Sequence, residues 1–446
     1  MMQQVNLGLV GGGTVGGGVY QALERHGDLL AQRLGVHLKV ARVAVRDLKR
    51  ARATHFPDAL VTTDWREVVL DPAVQVVVEL MGGVTVAREV VQAALKAGKP
   101  VVTANKALLS AHGPELFALA ARHGVNLYYE ASVAGGIPII KVLRESFAGN
   151  RITRIAGIVN GTCNYILTRM KLEGADFGAV LADAQRLGYA EAEPSLDIDG
   201  HDAAHKIGIL ASLAHGVWVS PEQIHTEGIR HVDALDIRFA TQLGYTIKLL
   251  GIVKDLGITG RGKAASRGIQ VAVYPALVPN THVLASVNYA FNAISLRGDV
   301  VGDTLFYGRG AGQDPTASSV LSDLADAALD LRHGCHRRVP AFTPCAHGTG
   351  PGVRVVPMAD VVSRYYLRLS VVDKPGVFAR VATLLAAAKI GISSVIQPEG
   401  HEGETVPVIL MIHDAPNRAI QAALLKIARL GFVKAPPVLL RVETLE

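Results

Sequence analysis

Cysteine is scarce in this 446-residue chain: only Cys163, Cys335 and Cys345 occur, with no C-x-x-C spacing among them. That excludes a disulfide framework and a standard structural zinc site. Long apolar runs are missing too, and none reaches the ~18 residues of a membrane-spanning helix without a charge or a glycine break. The start, Met1-Met2-Gln3-Gln4-Val5, lacks the basic and apolar regions of a secretory signal. Aromatic residues make up 5% of the chain, and the basic excess (45 Lys and Arg against 39 Asp and Glu) is scattered instead of gathered in runs. Nucleic-acid binding favours basic patches interleaved with aromatics, so this charge fits small anionic ligands better. The expectation is a soluble cytoplasmic protein with neither nucleic acid nor membrane as partner.

Glycine, by contrast, is plentiful at 46 residues, clustered at turns and at the heads of helical stretches. The apolar run Val5 to Val10 reads as a buried strand feeding Gly11-Gly12-Gly13-Thr14-Val15-Gly16, and Val15, Val19 and Leu23 then recur with helical period. Gly11, Gly13 and Gly16 therefore stand at the G-x-G-x-x-G positions of a strand-turn-helix unit. Such a unit binds the pyrophosphate of a dinucleotide at the helix N-terminus. A second strand, Leu38 to Val45, ends in Arg46-Asp47-Leu48-Lys49-Arg50. Arg46 with Lys49 and Arg50 suits a 2′-phosphate and favours NADP; Asp47, an acid at the ribose-reading tip, leaves NAD open.

Strands at Val76 to Leu80, Val101 to Thr103 and Val125 to Tyr129 alternate with helical patterns, which predicts a doubly wound parallel sheet of Rossmann type. Ligands of such sheets sit beyond the carboxyl ends of the strands, where Glu79, Thr103, Asn105, Lys106 and Glu130 fall. The loop Glu130 to Pro138 offers a carboxylate and backbone carbonyls to a hard cation, although a plain glycine-rich turn has the same look. From Arg151 an α+β region with an open sheet follows, a surface suited to dimerisation. Residues 333–362, rich in Pro, Gly and basic side chains, read as a linker. Cys335, His336, Cys345 and His347 within it fit no standard metal spacing. The order βαββαβ over residues 363–446 predicts a small ferredoxin-like module. The expected division is thus 1–140, with the helix 312–332 packing back on it, then 141–320, the linker, and 363–446.

Gly188 to Lys206 gathers Glu191, Glu193, Asp197, Asp199 and Asp202 with Lys206. Asp202 and Lys206, four apart, share a helix face one turn apart, and Ile207 onward turns apolar, placing the lysine at a core edge. A catalytic acid-base pair and a salt-bridged surface loop both fit the stretch alone.

Taken together, the chain resembles the long bacterial homoserine dehydrogenases with a C-terminal ACT domain. The resemblance rests on Glu79-Leu80-Met81-Gly82-Gly83, Val102 to Leu108, Glu130-Ala131-Ser132-Val133, Asn160 to Leu167 and Gly188 to Lys206. It implies reversible NAD(P)-linked interconversion of L-aspartate 4-semialdehyde and L-homoserine in the biosynthesis of threonine, methionine and isoleucine. It further implies Lys206 as proton donor and acceptor with Asp202 as partner, Lys106 beside the nicotinamide, and Glu191 and Asp197 holding the substrate's amino end. Implied cofactor contacts are Gly11, Thr14, Val15, Thr103, Lys106 and Gly310; the glycine turn adds Gly13 and Gly16 and the strand-end charge Arg46, and Gly161 is expected to join them. A structural sodium ion on Glu130 and the carbonyls of Val133, Gly135 and Ile137, an amino-acid effector such as threonine, and a homodimer or homotetramer are also implied. Glu193 and Ala134 depart conservatively from the family pattern, which usually has Asp and glycine there.

Three alternatives draw on the same residues. His201-Asp202-Ala203-Ala204-His205 imitates the H-E-x-x-H of zinc hydrolases with Asp for Glu. Cys163 could serve as the nucleophile of an aspartate-semialdehyde dehydrogenase-like enzyme, and a Rossmann fold with an ACT domain could be a non-catalytic amino-acid sensor.

Overall fold

Val5, Leu7 and Leu9 are completely buried in strand β1 (Gln3–Val10), the centre of the first sheet. In the computed structural model, which describes residues 3–259, 266–335, 338–343, 352–398, 401 and 403–445, the chain divides into two compact units. The first comprises Met1–Thr153, His205–Glu222 and Asn292–Gly350; the second comprises Arg154–Ala204, Gln223–Phe291 and Pro351–Glu446.

In the first unit, α1 (Thr14–Leu34) leads to β2 (Val36–Ala44), then β3 (Val61–Thr62), α2 (Trp65–Val69), β4 (Val76–Glu79), α3 (Thr85–Lys96), β5 (Val101–Thr103), α4 (Lys106–Arg122) and β6 (Leu127–Tyr128). The strands lie side by side in the order β3-β2-β1-β4-β5-β6, all parallel. This order reverses direction beside β1, and the crevice at such a switch point is where dinucleotides bind. The continuous apolar stretch Val76 to Val78 is buried on both faces, as a strand covered by helices on each side must be. The helix Gln313–Arg332 joins the same core through Ala317, Val320 and Leu324, packed with Val5, Leu7 and Val19. Arg332 ties its end to α1 by donating to the carbonyl of Leu34 at 2.6 Å.

In the second unit, Tyr245–Thr259 pairs antiparallel with Ser266–Pro279 and with Ile152–Ile158. Ser266–Pro279 also takes Val438–Val442 as a parallel neighbour, so the sheet continues into the C-terminal module. That module runs Val362–Val372, helix Val377–Ala387, Ile392–Ile396, Thr405–Pro416, helix Asn417–Ile427 and Val438–Val442. Its strands stand in the order last, first, third, second, the ferredoxin-like arrangement, over a core that includes Leu367, Leu385, Leu410 and Ile420. His336, Cys345 and His347 lie outside the described residues.

Candidate active site

Along the rim of β1 and β2 a cavity of about 500 Å³ is lined by Gly11, Gly12, Gly13, Thr14, Arg46, Asp47, Arg50, Arg52, Thr63 and Trp65, among others. Two glycines explain its floor. A Cβ on Gly16 would lie 2.0 Å from the carbonyl oxygen of Gly11, so only glycine lets α1 start this close to the strand. A Cβ on Gly13 would meet nothing within 4 Å, which leaves backbone bare toward the cavity where a pyrophosphate approaches the helix N-terminus. The cradle and its arginines therefore fit a dinucleotide. Gly11, Gly13, Thr14 and Arg46 line it directly, whereas Val15 and Gly16 sit behind its wall. The position of Arg52 on this rim was not anticipated from the sequence; three basic residues nearer the strand end, Arg46, Lys49 and Arg50, drew the reading there.

The carboxyl ends of β4 and β5 carry a buried polar platform. Thr103 donates to Glu79 at 2.7 Å, Glu79 accepts from the Met81 amide at 3.0 Å, and Asn105 accepts from the Leu108 amide at 3.0 Å as N-cap of α4. Burial raises the Glu79 carboxyl above its ordinary range. Lys106 is the first residue of α4, so its direction is set by this network.

Glu130 follows β6 and is also buried; its two oxygens accept from the amides of Ile140 at 2.9 Å and Lys141 at 2.8 Å. Its own amide donates to Asp323 at 2.8 Å. Burial pushes the Glu130 carboxyl up to about 7 and, with the Glu130 charge beside it, raises Asp323 as well. Val133, Gly135 and Ile137 are buried in the adjoining loop, and the Gly135 carbonyl accepts from Ser319. Gly310 packs against this loop, the Gly136 amide donating to Arg309 at 3.0 Å. Glu130 and Asp323 are adjacent and buried, and with the loop carbonyls of Val133, Gly135 and Ile137 they supply oxygen atoms, the donor type that a hard cation takes.

In the second unit, Asn160 caps the helix Gly161–Glu173, its oxygen accepting from the Cys163 amide at 2.8 Å. Its amide nitrogen donates to Asp197 at 2.7 Å and to Asp202 at 2.9 Å. Thr162 donates to the other Asp197 oxygen at 2.9 Å. The structure thus brings Asp197 and Asp202 onto one side chain. Asp202 lies in the first turn of the helix His201–His215 and is buried; Lys206, one turn further along this helix and also buried, belongs to the first unit. The other acids of the stretch go elsewhere: Glu191 is exposed in the loop, Glu193 accepts from the Ser195 amide at 3.1 Å, and Asp199 pairs with Arg230. Asn160 and Thr162 had no role assigned from the sequence. The signal for Asn160 was its place just before a helical pattern, and that signal points only to capping. Gly161, expected at the cofactor, opens the capped helix, where an added Cβ would lie 3.0 Å from the carbonyl oxygen of Ala290.

Two alternatives lose their footing. Cys163 is fully buried and its thiol donates to the backbone carbonyl of Asp197 at 3.2 Å, a scaffold role and not that of a nucleophile open to substrate. His201 is exposed, and among the described residues no group of three or more His, Cys, Asp and Glu is placed to hold a metal ion.

Two family models match the chain: homoserine dehydrogenase, NAD binding domain, over residues 11–130, and homoserine dehydrogenase over residues 138–325. The homoserine dehydrogenase of Pseudomonas aeruginosa is 43% identical over 100% of both chains. That of Synechocystis sp. is 42% identical over 98% of this chain and 99% of its own. A solved homoserine dehydrogenase from Thiobacillus denitrificans matches with a TM-score of 0.92 at 44% identity, covering 100% of this chain and 99% of its own. A hyperthermophilic archaeal homoserine dehydrogenase, in complex with NADPH, matches with a TM-score of 0.61 at 28% identity, over 74% of this chain and 98% of its own. The matches run along the whole length of these relatives, and the chain belongs to the homoserine dehydrogenase family of NAD(P)-dependent oxidoreductases.

Proposed function

We propose that Lys206, with Asp202 as its partner, moves the proton in the family's reaction, the reversible NAD(P)H-dependent reduction of L-aspartate 4-semialdehyde to L-homoserine. The nicotinamide, when bound, supplies the hydride in one direction and accepts it in the other. As an ammonium, Lys206 stabilises the charge developing on the aldehyde oxygen and gives it a proton; as a neutral amine it takes the proton back from the hydroxyl. Asp202 holds the lysine's helix turn in place, Glu191 and Asp197 grip the substrate's amino end, and Lys106 assists proton transfer beside the cofactor. The observation that carries this reading is the Asn160 amide shared by Asp197 and Asp202, which ties the substrate carboxylate to the helix bearing the lysine.

The arginines around the cavity favour NADP over NAD, with Arg46 at the 2′-phosphate. Glu130 and the carbonyls of Val133, Gly135 and Ile137 hold a structural sodium ion. The C-terminal module is an ACT domain that binds an amino-acid effector such as threonine, joined through a linker at 333–362, in a cytoplasmic homodimer or homotetramer. The test of the central claim is Lys206→Ala: turnover falls by about 10²-fold or more while the cofactor dissociation constant stays within about twofold. Near-normal turnover would remove Lys206 from the chemistry.

A further inference from the structure

The helix Ser195–Ile198, which carries Asp197, is four residues long, too short to hold its own orientation. Asn160 and Thr162 grip the Asp197 carboxylate. The rest of the turn is held by another segment, Glu227 to Arg230. The Ile229 amide donates to the Ile198 carbonyl at 2.8 Å. Gly228 lies so close that a Cβ on it would stand 2.2 Å from the Ile198 oxygen. Arg230 closes the clamp, its guanidinium spanning both oxygens of Asp199 and donating to Ser195 Oγ at 2.7 Å.

The clamp has a firm base. The Glu227 amide donates to Val273 at 2.8 Å, beside the pairing of His225 and Thr226 with Ala272 and Val273. The Glu227 carboxylate accepts from Arg441, a fully buried residue of the C-terminal module, at 2.7 Å. Segment 225–230 is therefore pinned at one end to the central sheet and grips the substrate turn with the other.

We propose that Arg230 is a positioning residue for substrate binding: it fixes the turn from Ser195 to Asp199 so that Asp197 is presented to the substrate's amino group. A bidentate fork on a carboxylate sets direction as well as distance. The Arg230 side chain is half exposed, so the pair adds little to overall stability, and its contribution is local order. This rests on the assignment of Asp197 to the substrate.

The experiment measures steady-state kinetics in the homoserine-oxidising direction and thermal melting for Arg230→Gln, Arg230→Lys, Asp199→Asn and Asp197→Asn. Arg230→Gln should raise the homoserine KM about tenfold, with kcat and the NADP KM within about threefold and melting nearly unchanged. Asp199→Asn should follow it, and Arg230→Lys should recover part of the loss. An unchanged homoserine KM in Arg230→Gln while Asp197→Asn raises it overturns the proposal. So does a parallel rise in both substrates' KM with lowered melting, the mark of a merely structural contact. If Asp197→Asn itself leaves the homoserine KM unchanged, the failure lies in the substrate assignment beneath the proposal.

Discussion

The side-chain amide of Asn160 donates to Asp202 at 2.9 Å while its second hydrogen goes to Asp197. With the carbonyl oxygen accepting from the Cys163 amide, both donor hydrogens and the acceptor oxygen of this one side chain are engaged. Helix capping and site assembly are the same event here: the geometry that starts the helix Gly161–Glu173 also sets the spacing of the two carboxylates.

Asn160→Asp separates those two duties. The new carboxylate still accepts from the Cys163 amide, since Asp and Asn cap equally well. It cannot donate, and it places a third negative charge against Asp197 and Asp202. The variant should keep its helix cap yet melt below the wild type and lose about 10²-fold or more in kcat/KM for homoserine, because the buried Asp202 and half-buried Asp197 lose their donor and gain repulsion. Kinetics alongside circular-dichroism melting check this; a variant with wild-type kcat/KM would show that the shared amide does not organise the site.

Arg46→Ala tests the cofactor end. Arg46 lines the cavity at the end of β2, where the ribose of a bound dinucleotide is read. Removing one charge-assisted contact of about 1.5 to 3 kcal/mol should raise the NADP KM by roughly ten- to a hundredfold. The NAD KM should hardly move. The ratio of the two kcat/KM values is the readout, and an equal loss for both cofactors would place Arg46 away from the 2′-phosphate.

Much of this was legible in the chain, and the reason is locality. Gly11, Gly13 and Gly16 lie within six residues, and their turn is determined by their own backbone needs. That Asp202 and Lys206 lie one turn apart on one helix face follows from helical spacing. The fully apolar Val76 to Val78 already spoke for a strand buried on both faces. What stayed hidden depends on segments far apart in sequence. Asn160 meets Asp197 across 37 residues, Arg230 meets Asp199 across 31, and Arg441 meets Glu227 across 214. The parallel pairing of Ser266–Pro279 with Val438–Val442 is of the same kind: nothing within either strand names its neighbour.

The Arg441–Glu227 pair gives an acid-side prediction. Although burial opposes it, hydrogen bonds from His225 and Arg441 hold the Glu227 carboxyl down at about 2, below its ordinary 4.5. A carboxylate depressed in the folded state stabilises above the unfolded value and loses that contribution as pH falls through the folded one. The shift corresponds to roughly 3 kcal/mol. In urea titrations Glu227→Gln should therefore be less stable than the wild type by about that amount at pH 7, since the buried Arg441 is left uncompensated. The gap should narrow as pH drops from about 4.5 toward 2. A gap independent of pH would mean that the charge of Glu227 is not what matters.

Lys248 gives the opposite slope. It is 1% exposed, donating to Asn164 at 3.1 Å and to the carbonyl of Val287, and burial, with the Lys171 charge nearby, lowers its ammonium to about 7 from 10.5. Below pH 7 both folded and unfolded chains carry the proton, and the folded state bears a desolvation cost of roughly 4 to 5 kcal/mol. Between about 7 and 10.5 the folded lysine is neutral while the unfolded one still binds a proton, so stability rises with pH across that window. Lys248→Met removes the titration. The unfolding free energy of the wild type relative to this variant should therefore increase from pH 6.5 to pH 9.5 by about 3 kcal/mol, measured by urea titration at matched ionic strength. Parallel curves for the two proteins would show that Lys248 keeps its proton in the folded state and that its oxygen neighbours fully offset its burial.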